Sequence, residues 1–193
     1  MSAKEEFIEL FQEHIHRDGA EALLDYLTNK CDFFTAPASA RYHGAYAGGL
    51  CEHSLNVYHA LHDTFFTEGD SEETFAICAL LHDLCKANYY KPGTRNVKNE
   101  ATGQWEKVPS YSVEDLFPYG HGEKSVFLIE RFMKLHIEEA VAIRWHMGGF
   151  DDAARGGCFA ISEAYDKYPL AVKLHIADLE ATYLMEHRTS AVR

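Results

Sequence analysis

The run Ala79-Leu80-Leu81-His82-Asp83-Leu84-Cys85-Lys86 sets an adjacent His-Asp pair into an apolar stretch of helical character. Ionisable groups are costly to bury unless something pairs with them. A chain that folds this run into its interior therefore has to bring it a partner, and a divalent cation is the economical one. His53, His121, His146 and Asp178 extend the pair into an ordered series of metal-ligand types spread over the chain. Imidazole nitrogen and carboxylate oxygen suit Mn, Fe, Co, Ni or Zn, and the lack of thiolate donors in the series argues against a structural zinc knot.

Apolar periodicity says what could bring such distant residues together. Residues 4–16 and 20–30 carry apolar positions at helical spacing, split by Asp18-Gly19. A looser segment with Pro37 leads to Gly48-Gly49, and a third helix is expected over Leu50 to Phe66. Ser71-Glu72-Glu73 reads as a helix start, a capping side chain followed by first-turn acids. That helix is expected to run through His82-Asp83 to about Ala87. Residues 88–119 break the pattern with Pro92-Gly93, Thr102-Gly103, Pro109 and Pro118. Arg95–Asn99 and Gln104–Val108 alternate around a turn, which predicts a β-hairpin at about residues 92–110. Helices are expected again at 122–135, at 137–146, near 159–165, and from Pro169 to about His187. The fold class is thus all-α, a helical bundle with a small hairpin insertion. At 193 residues the chain suits one domain, with N-terminal helices over 1–42 and a metal-binding core over 43–185.

Composition narrows the function classes. Its hydrophobic content of 47% beside 25% charged residues is that of an ordinary globular protein, and the apolar runs are too short to span a bilayer. The five cysteines have no Cys-x-x-Cys spacing and read as reduced thiols. With no secretion signal visible, a cytoplasmic protein is expected. A formal net charge of −12 speaks against duplex DNA as a partner. Residues 84–99 depart from that balance, with Lys86, Lys91, Arg95 and Lys98 and no acid. Such a strip beside a metal site suits a small anionic substrate, although lysines in a solvated loop would look the same.

His53 within Gly-Gly-Leu-Cys-Glu-His-Ser-Leu, His82-Asp83 within Leu-Leu-His-Asp-Leu-Cys-Lys, and Asp178 within Ile-Ala-Asp-Leu-Glu resemble the HD-domain superfamily of metal-dependent phosphohydrolases. The resemblance covers roughly residues 43–185. His121 and His146 match the two extra histidines of its binuclear branch. The segment from Tyr46 to His53 is also similar to that of HD-type exoribonucleases, whose additional nucleic-acid-binding domain is not expected here. Cys85 stands where the family usually has Gly, and Met147 stands where some cyclic-dinucleotide-cleaving members have a second His.

The resemblance implies a helical bundle holding one or two divalent cations (Mn, Fe, Co, Ni or Mg) on His53, His82, Asp83, His121, His146 and Asp178. It implies hydrolysis of a phosphomonoester or phosphodiester, a nucleotide or short oligonucleotide, by a monomer or homodimer. Asp83 and Lys86 are the expected catalytic residues, and Lys86, Lys124 and Arg95 the expected substrate contacts. Two alternatives share the ligand set: a mixed-valence di-iron oxygenase, and a non-catalytic metal-binding scaffold. Other residues have plainer readings. His62-Asp63 near a helix end reads as a surface pair. His14, His16, His59, His136 and His187 read as surface residues, and His175, one turn before Asp178, either as a partner behind the metal ligands or as an exposed helix position. Cys78 and Cys85 fit ordinary helix packing. Glu52 reads either as a base behind the metal ligands or as a first-turn acid. Tyr89, Tyr90, Trp105 and Tyr111 could form a stacking wall or pack against the hairpin.

Overall fold

The computed structural model describes residues 1–186; His187 lies outside them. The chain is mostly helical, with one two-stranded hairpin. Helix α1 spans Ala3–His14, α2 Ala20–Asn29, α3 Gly49–Phe65 and α4 Glu72–Leu81. Strands β1 (Tyr90–Lys98) and β2 (Trp105–Val113) follow. Then come α5 (His121–Glu130), α6 (Ile137–Trp145), the short α7 (Asp152–Arg155), α8 (Ala160–Lys167) and α9 (Pro169–Glu180), which ends in a wide turn over Ala181–Met185.

Helix α4 forms the axis of the bundle. From Phe75 to Leu81 every residue is buried, the pattern of a helix apolar all round rather than on one stripe. Each fully buried Leu there contributes about 1.5–3 kcal/mol relative to exposure. Ser71 starts the helix by accepting a hydrogen bond from the Thr74 N–H, as its position before two acids predicts. Around this axis α3 packs on α4 and α9, α6 on α4, α5 and α9, and α1 on α3 and α4. The buried apolar residues form one cluster from Phe7 to Ala181, so the N-terminal helices share the core of the rest.

Two close backbone approaches set where the later helices sit. A Cβ on Gly122 would lie 2.2 Å from the Arg144 carbonyl oxygen, so α5 crosses α6 at a point only glycine permits. A Cβ on Gly49 would lie 2.0 Å from the Gly44 oxygen, which seats the start of α3 against the preceding loop. Among the described residues, no helix is long and apolar enough to cross a membrane.

Three expectations about elements need correction. Helix α4 does not continue to Ala87: it stops at Leu81, Asp83 leaves helical dihedrals, and Leu84–Lys86 form a tighter turn. The hairpin is longer than expected and runs through Pro92 and Pro109, pairing Tyr90 with Val113 and Lys98 with Trp105 at its ends. Proline is tolerated because each strand of a two-stranded sheet has an open edge where no N–H donor is required. Helix α5 stops at Glu130, short of the expected Leu135, whereas the last helix continues past Glu180 as a wider, π-type turn to Met185, close to its expected end.

Candidate metal centre

His53 lies in the second turn of α3, and His82 and His146 are the residues on which α4 and α6 end. His121 opens α5, and Asp178 lies near the end of α9. Because α9 packs on both α3 and α6, all six side chains meet at one place in the bundle.

The helix ends supply more than position. The last carbonyls of a helix lack N–H partners. His82 Nδ1 donates to the Ala79 oxygen at 2.8 Å, and His146 Nδ1 donates to the Ile143 oxygen at 2.7 Å. In each case the ring satisfies an orphan carbonyl of its own helix. With Nδ1 protonated, the Nε2 lone pair of a neutral ring points into the cluster. Burial lowers the pKa of His146, which favours that neutral form.

Asp83 sits at the middle, 2% exposed, with its two oxygens turned to different neighbours. Oδ2 lies 3.5 Å from His53 Nε2 and 3.5 Å from His82 Nε2. Oδ1 lies 2.9 Å from His121 Nε2 and 3.5 Å from His146 Nε2. Asp178 Oδ1 completes the first half at 3.3 Å from His53 Nε2. The break in α4 is what allows this. On a continuous helix His82 and Asp83 would point about 100° apart, but here both face the same cluster.

The donor set fits a cation. Ligand atoms at about 2.0–2.2 Å from one ion stand roughly 3–3.5 Å from each other, the spacing seen in both halves. His53 Nε2 and His82 Nε2 are 3.3 Å apart, although each ring spends its Nδ1 proton elsewhere. Two facing lone pairs need a cation or a proton between them. His146 Nε2 is buried with no hydrogen-bond partner among the described residues. The buried His/Asp cluster could therefore hold metal.

The electrostatics show a cluster whose buried carboxylates draw positive charge to it, whether protons or a cation. Burial alone would raise the Asp83 pKa, but the Lys86 ammonium, 2.5 Å from Oδ2, and the surrounding imidazoles hold it well below the usual carboxylate range. Asp178 is likewise held low against burial, by its hydrogen bond with His53. For His53 burial disfavours charge, yet Asp178 and Glu186 outweigh it and raise the ring to about 9. His121 rises to about 10, against burial, through Cys85 and Asp83.

A cavity of about 480 Å³ opens beside the His121 half, lined by Cys85, Lys86, Tyr89, His121, Lys124 and Arg144. A larger cleft of about 820 Å³ between α1 and α2 contains none of the candidate ligands. In the smaller cavity each cation is already paired, Lys86 with Asp83, Lys124 with Asp115 at 2.6 Å, and Arg144 with Asp151 at 2.8 Å. Arg95 sits on the projecting hairpin and does not line the cavity.

Several neighbours differ from their sequence reading. Of the two readings of His175 the exposed one fails: it is half-buried, and its Nδ1 donates to the backbone carbonyl of His146 at 2.6 Å. Cys85 does more than pack, with Sγ 3.4 Å from His121 Nδ1. Trp105 is 70% exposed at the far end of the hairpin and forms no wall with Tyr89. Glu52 is a first-turn acid of α3 as expected, and it accepts a hydrogen bond from the Tyr46 hydroxyl. His62-Asp63 is a surface pair near the end of α3 as expected, with His62 also bonded to Glu72 and stacked on Phe66.

Two residues escaped the sequence reading. His43 packs its ring 4.9 Å from that of His53, and Glu186 Oε1 lies 2.8 Å from His53 Nδ1. The histidine before Gly44 was visible as one more ligand type just ahead of Gly48-Gly49. An acid following the last helix carried no local signal. Comparison with protein-family models, curated proteins and solved structures finds no match to this chain.

Proposed function

We propose that this protein is a metal-dependent phosphohydrolase of the HD-domain type, cleaving a phosphomonoester or phosphodiester of nucleotide size. The observation that carries the reading is the two-faced Asp83, with His53 and His82 on one oxygen and His121 and His146 on the other. Such an arrangement suits two cations sharing one carboxylate. The order of ligands along the chain resembles that of the HD-domain superfamily, which supports the same reading.

When bound, divalent cations supply Lewis acidity toward a phosphoryl oxygen and acidify water near neutral pH. The chain's own residues do the rest. Asp83 keeps the two halves at fixed spacing. Lys86, one turn beyond Asp83 and lining the cavity, offsets charge on a phosphoryl oxygen once its carboxylate partner is engaged elsewhere. Lys124 stands over the Tyr89 ring at 5.1 Å from its centroid, deeper in the cavity wall. It provides a second positive charge, and the ring a flat apolar surface for a base. The cavity volume falls in the range of small-molecule sites and is too small for a long polynucleotide.

The test is a screen of p-nitrophenyl phosphate esters, nucleotides and dinucleotides with Mn, Co, Ni and Mg. Turnover is expected to vanish with a chelator and in Asp83→Ala, which keeps its helical circular dichroism while losing bound metal. Wild-type metal content in Asp83→Ala, or O₂ consumption with iron in place of phosphate release, would refute the hydrolase.

A further inference from the structure

His53 differs from the other inward-facing rings in how its protonation is set. His82 and His146 end their helices and use a free carbonyl three residues back. His53 lies within α3, where the carbonyl three residues back, that of Leu50, is taken by the helix ladder. Its own helix has no spare acceptor for Nδ1–H. One arrives from the far end of the described chain. Glu186 follows the wide turn Ala181–Met185 and brings its carboxylate back against α3. Oε1 accepts from His53 Nδ1 at 2.8 Å and from Asn56 Nδ2 at 3.2 Å.

We infer that Glu186 is a positioning residue for the metal centre, holding His53 with Nδ1 protonated so that Nε2 is offered to a cation. The inference rests on the two-ion reading of the cluster. Glu186 is poorly suited to a purely structural task. Its side chain is 8% exposed, and Oε2 has no hydrogen-bond partner among the described residues. Burying a carboxylate so incompletely satisfied costs stability that an apolar residue would not. A carboxylate behind a metal-binding imidazole orients the ring and raises its basicity.

The placement also makes the two halves unequal. The His53 half has Asp178 and, behind it, Glu186, in addition to its share of Asp83. The His121 half has its share of Asp83, with Asp178 also grouped beside His146 and Cys85 Sγ beside His121, and it faces the cavity. The His53 half therefore binds its cation more tightly, and the cavity-side cation is the exchangeable one.

Two variants test this, Glu186→Leu and Glu186→Gln, with Asp83→Ala as control. Wild type loaded with Co²⁺ should bind two ions in distinguishable steps. Glu186→Leu should bind one, losing the tighter step and its share of the visible absorption. Glu186→Gln, whose amide oxygen can still accept from Nδ1–H, should keep two ions with the tighter step weakened about 10–100-fold. Two ions bound to Glu186→Leu with wild-type affinity would overturn the assignment. A second readout needs no metal: the His53 Nδ1 proton should be a slowly exchanging NMR signal in wild type and exchange fast in Glu186→Leu. If wild type and Asp83→Ala bind equally little metal, the two-ion reading fails. The NMR arm then decides the role of Glu186 alone, and a protected proton in Glu186→Leu counts against it.

Discussion

At the scale of single residues, the centre is built from side chains whose protonation is dictated by their second contact. His82 and His146 give one nitrogen to a backbone carbonyl, His53 gives one to Glu186, and His121 sets Nδ1 against Cys85. His43 has no such contact: its Nε2 is buried without a hydrogen-bond partner among the described residues. Burial, with the nearby His53 and Lys86, lowers its pKa to about 4. A histidine depressed when folded contributes stability above its ordinary value of 6.5, and loses it as pH falls toward 4, because only the unfolded chain takes up the proton. Denaturation midpoints measured from pH 7 to 4 should fall less steeply in His43→Gln than in wild type. Identical slopes would show that His43 is not held neutral.

At the scale of elements, two helix ends and one crossing assemble the candidate ligands. Helix α4 stops at Leu81, so Asp83 turns toward the cluster instead of following the helix away from it. Apolar content alone argues for a longer helix, and it does not register the advantage of bringing Asp83 among four imidazoles. The α5–α6 crossing at Gly122 puts His121 beside His146, with ring centroids 5.1 Å apart. Gly122→Ala would force the helices apart against the Arg144 carbonyl. The expected cost is about 1–3 kcal/mol, read as a lower denaturation midpoint. The same variant should bind the cavity-side cation more weakly, since His121 moves with α5. Unchanged metal stoichiometry and affinity in a destabilised variant would place His121 outside the centre.

For the whole molecule, a second polar cluster ties the N-terminal helices to the bundle. Arg17, between α1 and α2, donates to both oxygens of Glu139 at 2.7 and 3.0 Å and to Glu73 at 3.1 Å. Glu139 is fully buried and also accepts from the Thr74 hydroxyl. Removing one partner of such a pair strands a charge in the core. Arg17→Ala should therefore lose about 3–5 kcal/mol in urea unfolding. A loss under 1 kcal/mol would mean that water reaches Glu139 and the N-terminal helices are loosely attached. Metal content of the folded variant should stay at the wild-type level, because Arg17 and Glu139 are not among the grouped candidate ligands.

Sequence alone determined what is local or repetitive. Helical periodicity placed α1 to α3, α6 and α9 with its π-type extension to within a few residues of their ends but overran α5 by five, and the glycine and proline punctuation located the hairpin. The ordered His and Asp residues could be picked out because a charged pair in an apolar run demands a partner. Tertiary structure alone decided which atoms meet. That Asp83 turns one oxygen to each pair of imidazoles depends on α3, α5 and α6 bringing their histidines to the end of α4. His53 and Glu186 are 133 residues apart, and no periodicity or capping rule acts across such a distance. Their pairing exists because helix packing returns the end of the chain to α3, where a ring without a carbonyl of its own is waiting.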